Sequence, residues 1–303
     1  RKSQYPHSKA VQKGRLMDYS YERAFSRNLG WVNDIEQEKI RNTVVGIPGL
    51  GGVGGHHVHA LARLGFSKFK IADFDDFDLH NFNRQIGANM DTIGKTKIEV
   101  TEKMIKSINP EAEVTLFDKG INADNAEEFL AGTDLILDSI DLYVLDLREL
   151  LYGRAHELGI PVVTAAPLGM GSSVLAFVPG KMGFNEYFNL KKDDDNLVKV
   201  AKFLAGVAPR PHHLRYLKYR EYVNINERKV PSLHVGVTTS TSAITAVCLK
   251  LVLNRGKVIA APRGYHVDFY LNKWKNFYIP FGNKNPIQKV IIWILLNKYF
   301  KQP

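Results

Sequence analysis

Cysteine is all but missing from this chain. Cys248 stands alone among 303 residues. That excludes an intramolecular disulfide and any zinc site built on cysteines, and it fits a reducing compartment. Long hydrophobic runs are missing as well. The longest, 290–296, falls far short of the roughly 20 apolar residues of a spanning helix, so no stable membrane insertion is expected. The N-terminal residues show no signal-peptide pattern, which with the lone thiol leads us to expect a cytoplasmic protein. Internal repeats and low-complexity segments are absent. So is any five-residue basic cluster interleaved with aromatics, and nucleic acid is not an expected partner.

What is present reads as an α/β protein. Apolar residues make up 45% and charged residues 24%, ordinary for a globular chain with ample core. The net charge of +10 fits an anionic partner such as a nucleotide or acidic peptide, or simply a solvated basic surface. Strands are expected at 43–47, 68–72, 113–117, 134–138, 161–164 and 172–178. Helices are expected at 54–64, 95–108, 124–131 and 143–158. Such alternation builds βαβ units, hence a Rossmann-like, mainly parallel sheet with helices on both faces. Residues 1–42 read as a loose arm and then one helical segment (17–42), and 43–180 as the nucleotide-binding part. Residues 181–303 read as a substrate-side region completing the same domain. They hold a helix at 236–254, late strands, and a terminal apolar element (290–300) that is buried or a dimer contact.

The residues 44–84 carry most of the chemistry. A β-branched run (Val44, Val45, Ile47) ends in GLGGVG, residues 49–54, followed by an apolar-periodic helix and a second strand that ends at Asp73. Gly49, Gly51, Gly52 and Gly54 let backbone N–H groups approach phosphate oxygens at a helix N-terminus. Asp73, 19 residues after Gly54, has the spacing of a ribose-binding carboxylate, with Asp75 a lesser candidate. Asn81 and Arg84 follow, and an arginine fork suits polyphosphate oxygens rather than a nicotinamide site. Lys97, after Gly94, is a second cation for the same phosphates. In LILDSID, Asp138 reads as a cap for the next helix and Asp141 as a Mg²⁺ ligand beside a triphosphate. His56, His57 and His59 read as packing or solvent-facing residues, and His212 and His213 as ambiguous.

Glycine loop, acid, N-x-x-R, G-x-x-K and D-x-x-D in this order resemble the ThiF/MoeB superfamily, to which ubiquitin-activating enzymes also belong. The resemblance spans 43–178 and returns at 236–253. It implies that ATP binds with Mg²⁺ and that a carboxylate of a peptide or small ubiquitin-like carrier protein attacks the α-phosphorus, giving an acyl-adenylate and pyrophosphate. It implies a homodimer in which Arg27, or alternatively Arg23, reaches the partner's ATP. Arg84, Lys97 and Asp141 would be the catalytic set. The chain departs from the family in having no C-x-x-C pairs, so no zinc is expected, and no cysteine placed to take an acyl group. Cys248, inside AITAVCLKLVL, reads as core, and Leu142 stands where the family often has Asn. The expected function is therefore an ATP-dependent adenylyltransferase whose acyl product is captured by a non-cysteine nucleophile. A catalytically silent nucleotide-binding partner subunit and an NAD(P)-dependent oxidoreductase are the alternatives.

Overall fold

The computed structural model describes residues 19–225 and 227–300; the loose arm expected over 1–16 lies outside them. The described chain begins with α1 (Tyr21–Phe25) and α2 (Asp34–Asn42). An eight-stranded sheet follows, made of β1 (Val44–Pro48), β2 (Lys68–Ala72), β3 (Glu113–Phe117), β4 (Leu135–Asp138), β5 (Val162–Leu168), β6 (Gly171–Phe177), β7 (Arg263–Asp268) and β8 (Lys273–Tyr278). Their spatial order is β3-β2-β1-β4-β5-β6-β7-β8. The first five strands pair in parallel, and the last three add on antiparallel. The expected strand at 172–178 is thus real but reversed. A hairpin through Gly169 and Met170 turns it back along β5, with no crossover helix.

Helices cover both faces because the central strands send alternate side chains to opposite sides. Val174 and Ala176 of β6 join one core, and Leu175 and Phe177 the other. The first core is closed by α2, α3 (Gly54–Leu64), α4 (Lys97–Ile108) and α9 (His234–Leu253). The second is closed by α5 (Ala126–Leu130), α6 (Leu145–Glu157), α7 (Phe184–Phe188), α8 (Asn196–Val207) and α10 (Pro286–Ile294). By length and composition alone α9 could cross a membrane. Here it lies against β5, β6 and α3, and the buried Cys248 is part of that packing.

One expectation needs correcting and another is met in part. Residues 17–42 do not form one helix: a turn with Gly30 at φ +104° interrupts them, and α2 restarts on a capping box between Asn33 and Glu36. The stretch 290–300 is helical but only half buried. Val290, Trp293 and Tyr299 are exposed, while Ile292, Leu295 and Leu296 pack on the second core.

From β1 the chain winds out to β2 and β3, then crosses back to β4 on the other side. The crevice of such a sheet opens between the C-terminal ends of β1 and β4. A buried ion pair shapes it. Asp138 does not cap α6, which starts after Val144 with no side-chain cap. Its Oδ2 accepts from Arg148 Nε at 3.0 Å and from the Tyr152 hydroxyl at 2.8 Å, and its Oδ1 from the Ile140 N–H. Arg148 also donates to the carbonyls of Ile140 and Asp141, tying down the loop that carries Asp141. Replacing Asp138 with Ala strands a buried guanidinium, and we expect a loss of about 3–5 kcal/mol in urea unfolding. A loss below about 1 kcal/mol would contradict this account of the pair.

Candidate active site

The glycine loop between β1 and α3 holds two kinds of glycine. Gly49 sits at φ +109°, and a Cβ there would lie 2.6 Å from Ser139 O; a Cβ on Gly54 would lie 1.9 Å from Gly49 O. Both glycines are demanded by the turn itself. Ser139 Oγ donates to Gly49 O at 2.7 Å and locks the loop after β4 onto it. Gly51 and Gly52 differ. The nearest atoms to their added Cβ positions are Gln85 Nε2 at 4.0 Å and Arg84 Nε at 3.9 Å. A side chain on either would make only ordinary contact, and the space beside Gly52 is bounded by Arg84 and Val237. The first turn of α3 has no side-chain cap, so its N–H groups are available to an anion entering that space.

Acids and cations gather around this loop. Asp73, one residue past β2, accepts from the Leu50 N–H at 2.6 Å and from the Asp75 N–H at 2.9 Å. Burial raises its pKa above the ordinary carboxyl value, against the pull of Lys97 and the two donors. Lys97 opens α4 with its side chain only 6% exposed, and its Nζ lies 2.6 Å from Asp75 Oδ2. Arg84 has no carboxylate partner among the described residues; its Nη1 donates to His80 O and Asn83 Oδ1. Burial lowers its pKa. Asn81 is buried, and its Oδ1 accepts from the Asp78 N–H, so half of its amide is committed to a cap. Asp141 is exposed beyond β4. Its Oδ1 accepts from the Tyr143 N–H, which leaves Oδ2 for a ligand.

Arg27 is not brought to this group. Its neighbour Asn28 donates to Leu64 O, at the far end of α3, about 15 Å from the loop for eleven residues of helix. Sequence reading missed Ser139, Gln85, and the start of α9, where Val237 lies 4.0 Å from the Cβ position of Gly52. It also left open His56, whose Nε2 lies 3.1 Å from Arg84 O. His57 is buried against Thr241. His212 and His213 line a water-sized cavity of about 10 Å³ with His266 and Asp268, at the C-terminal end of β5. Beside it the Tyr216 hydroxyl accepts from the Met170 N–H and donates to Asp268. No signal in the sequence joins residues so far apart in the chain.

Two predictions follow from this geometry. Gly51→Ala and Gly52→Ala should keep the melting temperature within a few degrees yet weaken nucleotide binding at least tenfold, because their methyls fill ligand space and strain nothing. Gly49→Ala and Gly54→Ala should instead lower the melting temperature. Calorimetric titration with ATP alongside thermal melts separates the two pairs. Burial also lowers the pKa of His56 to about 4, of His57 to about 3 and of His266 to about 4, from 6.5. These rings are neutral when folded and charge on unfolding, so stability present above pH 6.5 is lost as pH falls toward 4. The expected slope is about 1 kcal/mol per pH unit for each group. Equal urea midpoints at the two ends of that window would rule it out.

Comparison with known proteins places this geometry. The model of the ThiF family matches residues 25–288. The tRNA threonylcarbamoyladenosine dehydratase of Haemophilus influenzae is 34% identical over 129 residues, covering 42% of this chain and 49% of that protein. The sulfur carrier protein ThiS adenylyltransferase of Escherichia coli is 28% identical over 143 residues, covering 47% and 56%. The chain therefore spans about half the length of the curated relatives it matches. Among solved structures, Escherichia coli MccB with MccA-N7isoASN superposes with a TM-score of 0.66 at 20% identity, covering 89% of this chain and 75% of that one. PaaA gives 0.64 at 17%, covering 90% and 77%. At such identities the structures speak for the fold, and the family match from α1 into α10 carries the assignment: the chain belongs to the ThiF family.

Proposed function

We propose that this protein is an ATP-dependent adenylyltransferase. A substrate carboxylate attacks the α-phosphorus of ATP, the bond to the β-phosphate oxygen breaks, and an acyl-adenylate and pyrophosphate form. The observation that carries the reading is Arg84, a half-buried cation with no carboxylate partner among the described residues, held beside Gly52 of the glycine loop. Such a cation next to uncapped helical N–H groups suits a triphosphate. In this reading Asp73 and Asp75 take the ribose hydroxyls. Asn81, Arg84 and Lys97 hold the phosphates, with Lys97 exchanging its bond to Asp75 for them. Attack on a polyanion needs charge neutralisation and alignment more than proton transfer.

Asp141 fits Mg²⁺. One free carboxylate oxygen on a loop bordering the glycine loop suits an ion that takes one or two carboxylates and completes its shell with water and phosphate. The ion would neutralise the departing pyrophosphate. Arg27, remote within its own chain, fits a role at the site of a second copy, hence a homodimer.

The substrate class follows from charge. Residues 201–303 hold 17 of the 41 Lys and Arg but only 3 of the 31 Asp and Glu. An acidic peptide or small carrier protein suits that basic segment, in keeping with relatives named for ThiS or crystallised with MccA. The same segment favours a second reading, a carboxylate borne on RNA, which the dehydratase relatives' name suggests. In both readings a non-cysteine nucleophile captures the acyl group. Cys248 is fully buried and burial pushes its thiol pKa far up, whereas a nucleophile needs a thiolate.

Exchange of labelled pyrophosphate into ATP tests the reading, with peptide, carrier protein and RNA offered separately. Exchange should need Mg²⁺ and one of the three carboxylates. It should survive Cys248→Ala and fall about 10–100-fold in Arg84→Ala, the range for a lost charge-assisted bond. ATP binding with no exchange on any substrate would favour a silent partner subunit instead. NADH binding without ATP binding would favour an oxidoreductase.

A further inference from the structure

We infer that His56 is a positioning residue for the triphosphate site, holding the Arg84 carbonyl so that the Arg84 guanidinium stays over Gly52. The inference rests on the adenylation reading, in which Arg84 meets the phosphates. His56 stands in the first turn of α3, buried to 5% exposure, with Nε2 at 3.1 Å from Arg84 O. A carbonyl only accepts, so Nε2 carries the proton. Burial keeps the ring from charging near neutral pH, which leaves the neutral Nε2–H tautomer. The His234 ring meets it edge-on at 5.1 Å. Three segments therefore converge on one imidazole: the start of α3, the turn that carries Arg84, and the start of α9.

The rest of that turn shows why the bond matters. The Arg84 N–H bonds Asn81 O, and Asn83 Nδ2 bonds Ser232 O at 2.9 Å. These fix the turn upstream of Arg84. On the carbonyl side of Arg84, His56 is the partner that anchors the residue to the glycine-loop helix. The same peptide donates its Gln85 N–H to Asn81 O at 2.9 Å within the turn. Without the His56 donor the turn therefore keeps its shape but loses this bond to α3, and the Arg84 side chain shifts with it relative to Gly52. Misplacement by about 1 Å is enough to lose most of a charge-assisted contact.

A buried histidine that merely fills space would affect every nucleotide alike. One that positions Arg84 affects only ligands with phosphates beyond the first. The test is the ratio of AMP to ATP dissociation constants, measured by titration calorimetry on the full chain. His56→Leu keeps the bulk and removes the donor; the ratio should fall about tenfold while AMP affinity, the control for folding, is kept. His56→Gln can present an amide N–H in place of Nε2–H and should restore the ratio. An unchanged ratio in His56→Leu, or equal loss of both nucleotides in both variants, overturns the inference. A second measurement needs no variant: the Nε2 proton resonance of His56 should shift with ATP and not with AMP, and an unmoved resonance also overturns it. If the wild-type protein itself fails to prefer ATP over AMP, the adenylation reading falls and takes this inference with it. If it prefers ATP and His56→Leu does too, only this inference falls.

Discussion

The site depends on one close approach. Gly54 comes so near the carbonyl of Gly49 that no side chain fits between them, and Ser139 bonds that same carbonyl from the loop after β4. Three strand-end segments are thereby compressed into one layer, with the Gly49 N–H bonded to Ala72 O at the end of β2. Because β1, β2 and β4 are neighbours in the sheet, this layer lies where their loops diverge. Gly51 and Gly52 can leave space beside them because Gly49 and Gly54 have already turned the chain.

A second constraint acts from beneath. Asp138 and Arg148 are a charged pair in the second core, and a pair of this kind costs desolvation that its attraction only partly offsets. Here the guanidinium also lies over the Phe203 ring at 4.6 Å and binds two carbonyls of the Ile140–Asp141 loop. Its return is geometric. A loop that holds an exposed carboxylate is fixed by a charge that cannot move without being stranded.

What the sequence reveals and what it hides follow one rule. The alternation of strands and helices, the glycine loop and the chain positions of Asp73, Arg84, Lys97 and Asp141 are legible because each depends on residues close in the chain. α3 matches its expected span of 54–64 for the same reason. Asp138 was misjudged because its partners, Arg148 and Tyr152, lie one and more helical turns into a later element. A carboxylate before a helix reads as a cap unless the fold is known. His56 stayed ambiguous because its partner is 28 positions away, and His234 is further still. The break at Gly30 was hidden by flanking residues with helical composition.

On the adenylation reading, the distribution of charge bears on how an activated acyl group would be handled without a thiol. The glycine loop lies within residues 1–200, where acids outnumber bases, and the cations beside it are few: Arg84 next to Gly52 and Lys97 bonded to Asp75. The excess of positive charge lies after residue 200. A polyanionic leaving group and an anionic substrate would repel each other if one cluster of lysines served both. On the adenylation reading, separate cations would serve the phosphates and the incoming carboxylate, and Asp141 would hold Mg²⁺ for the leaving pyrophosphate. Cys248, for its part, is shut inside the packing of α9. On the same reading the capturing nucleophile would not be the thiol of this chain, and a group brought by the substrate or by solvent would take its place.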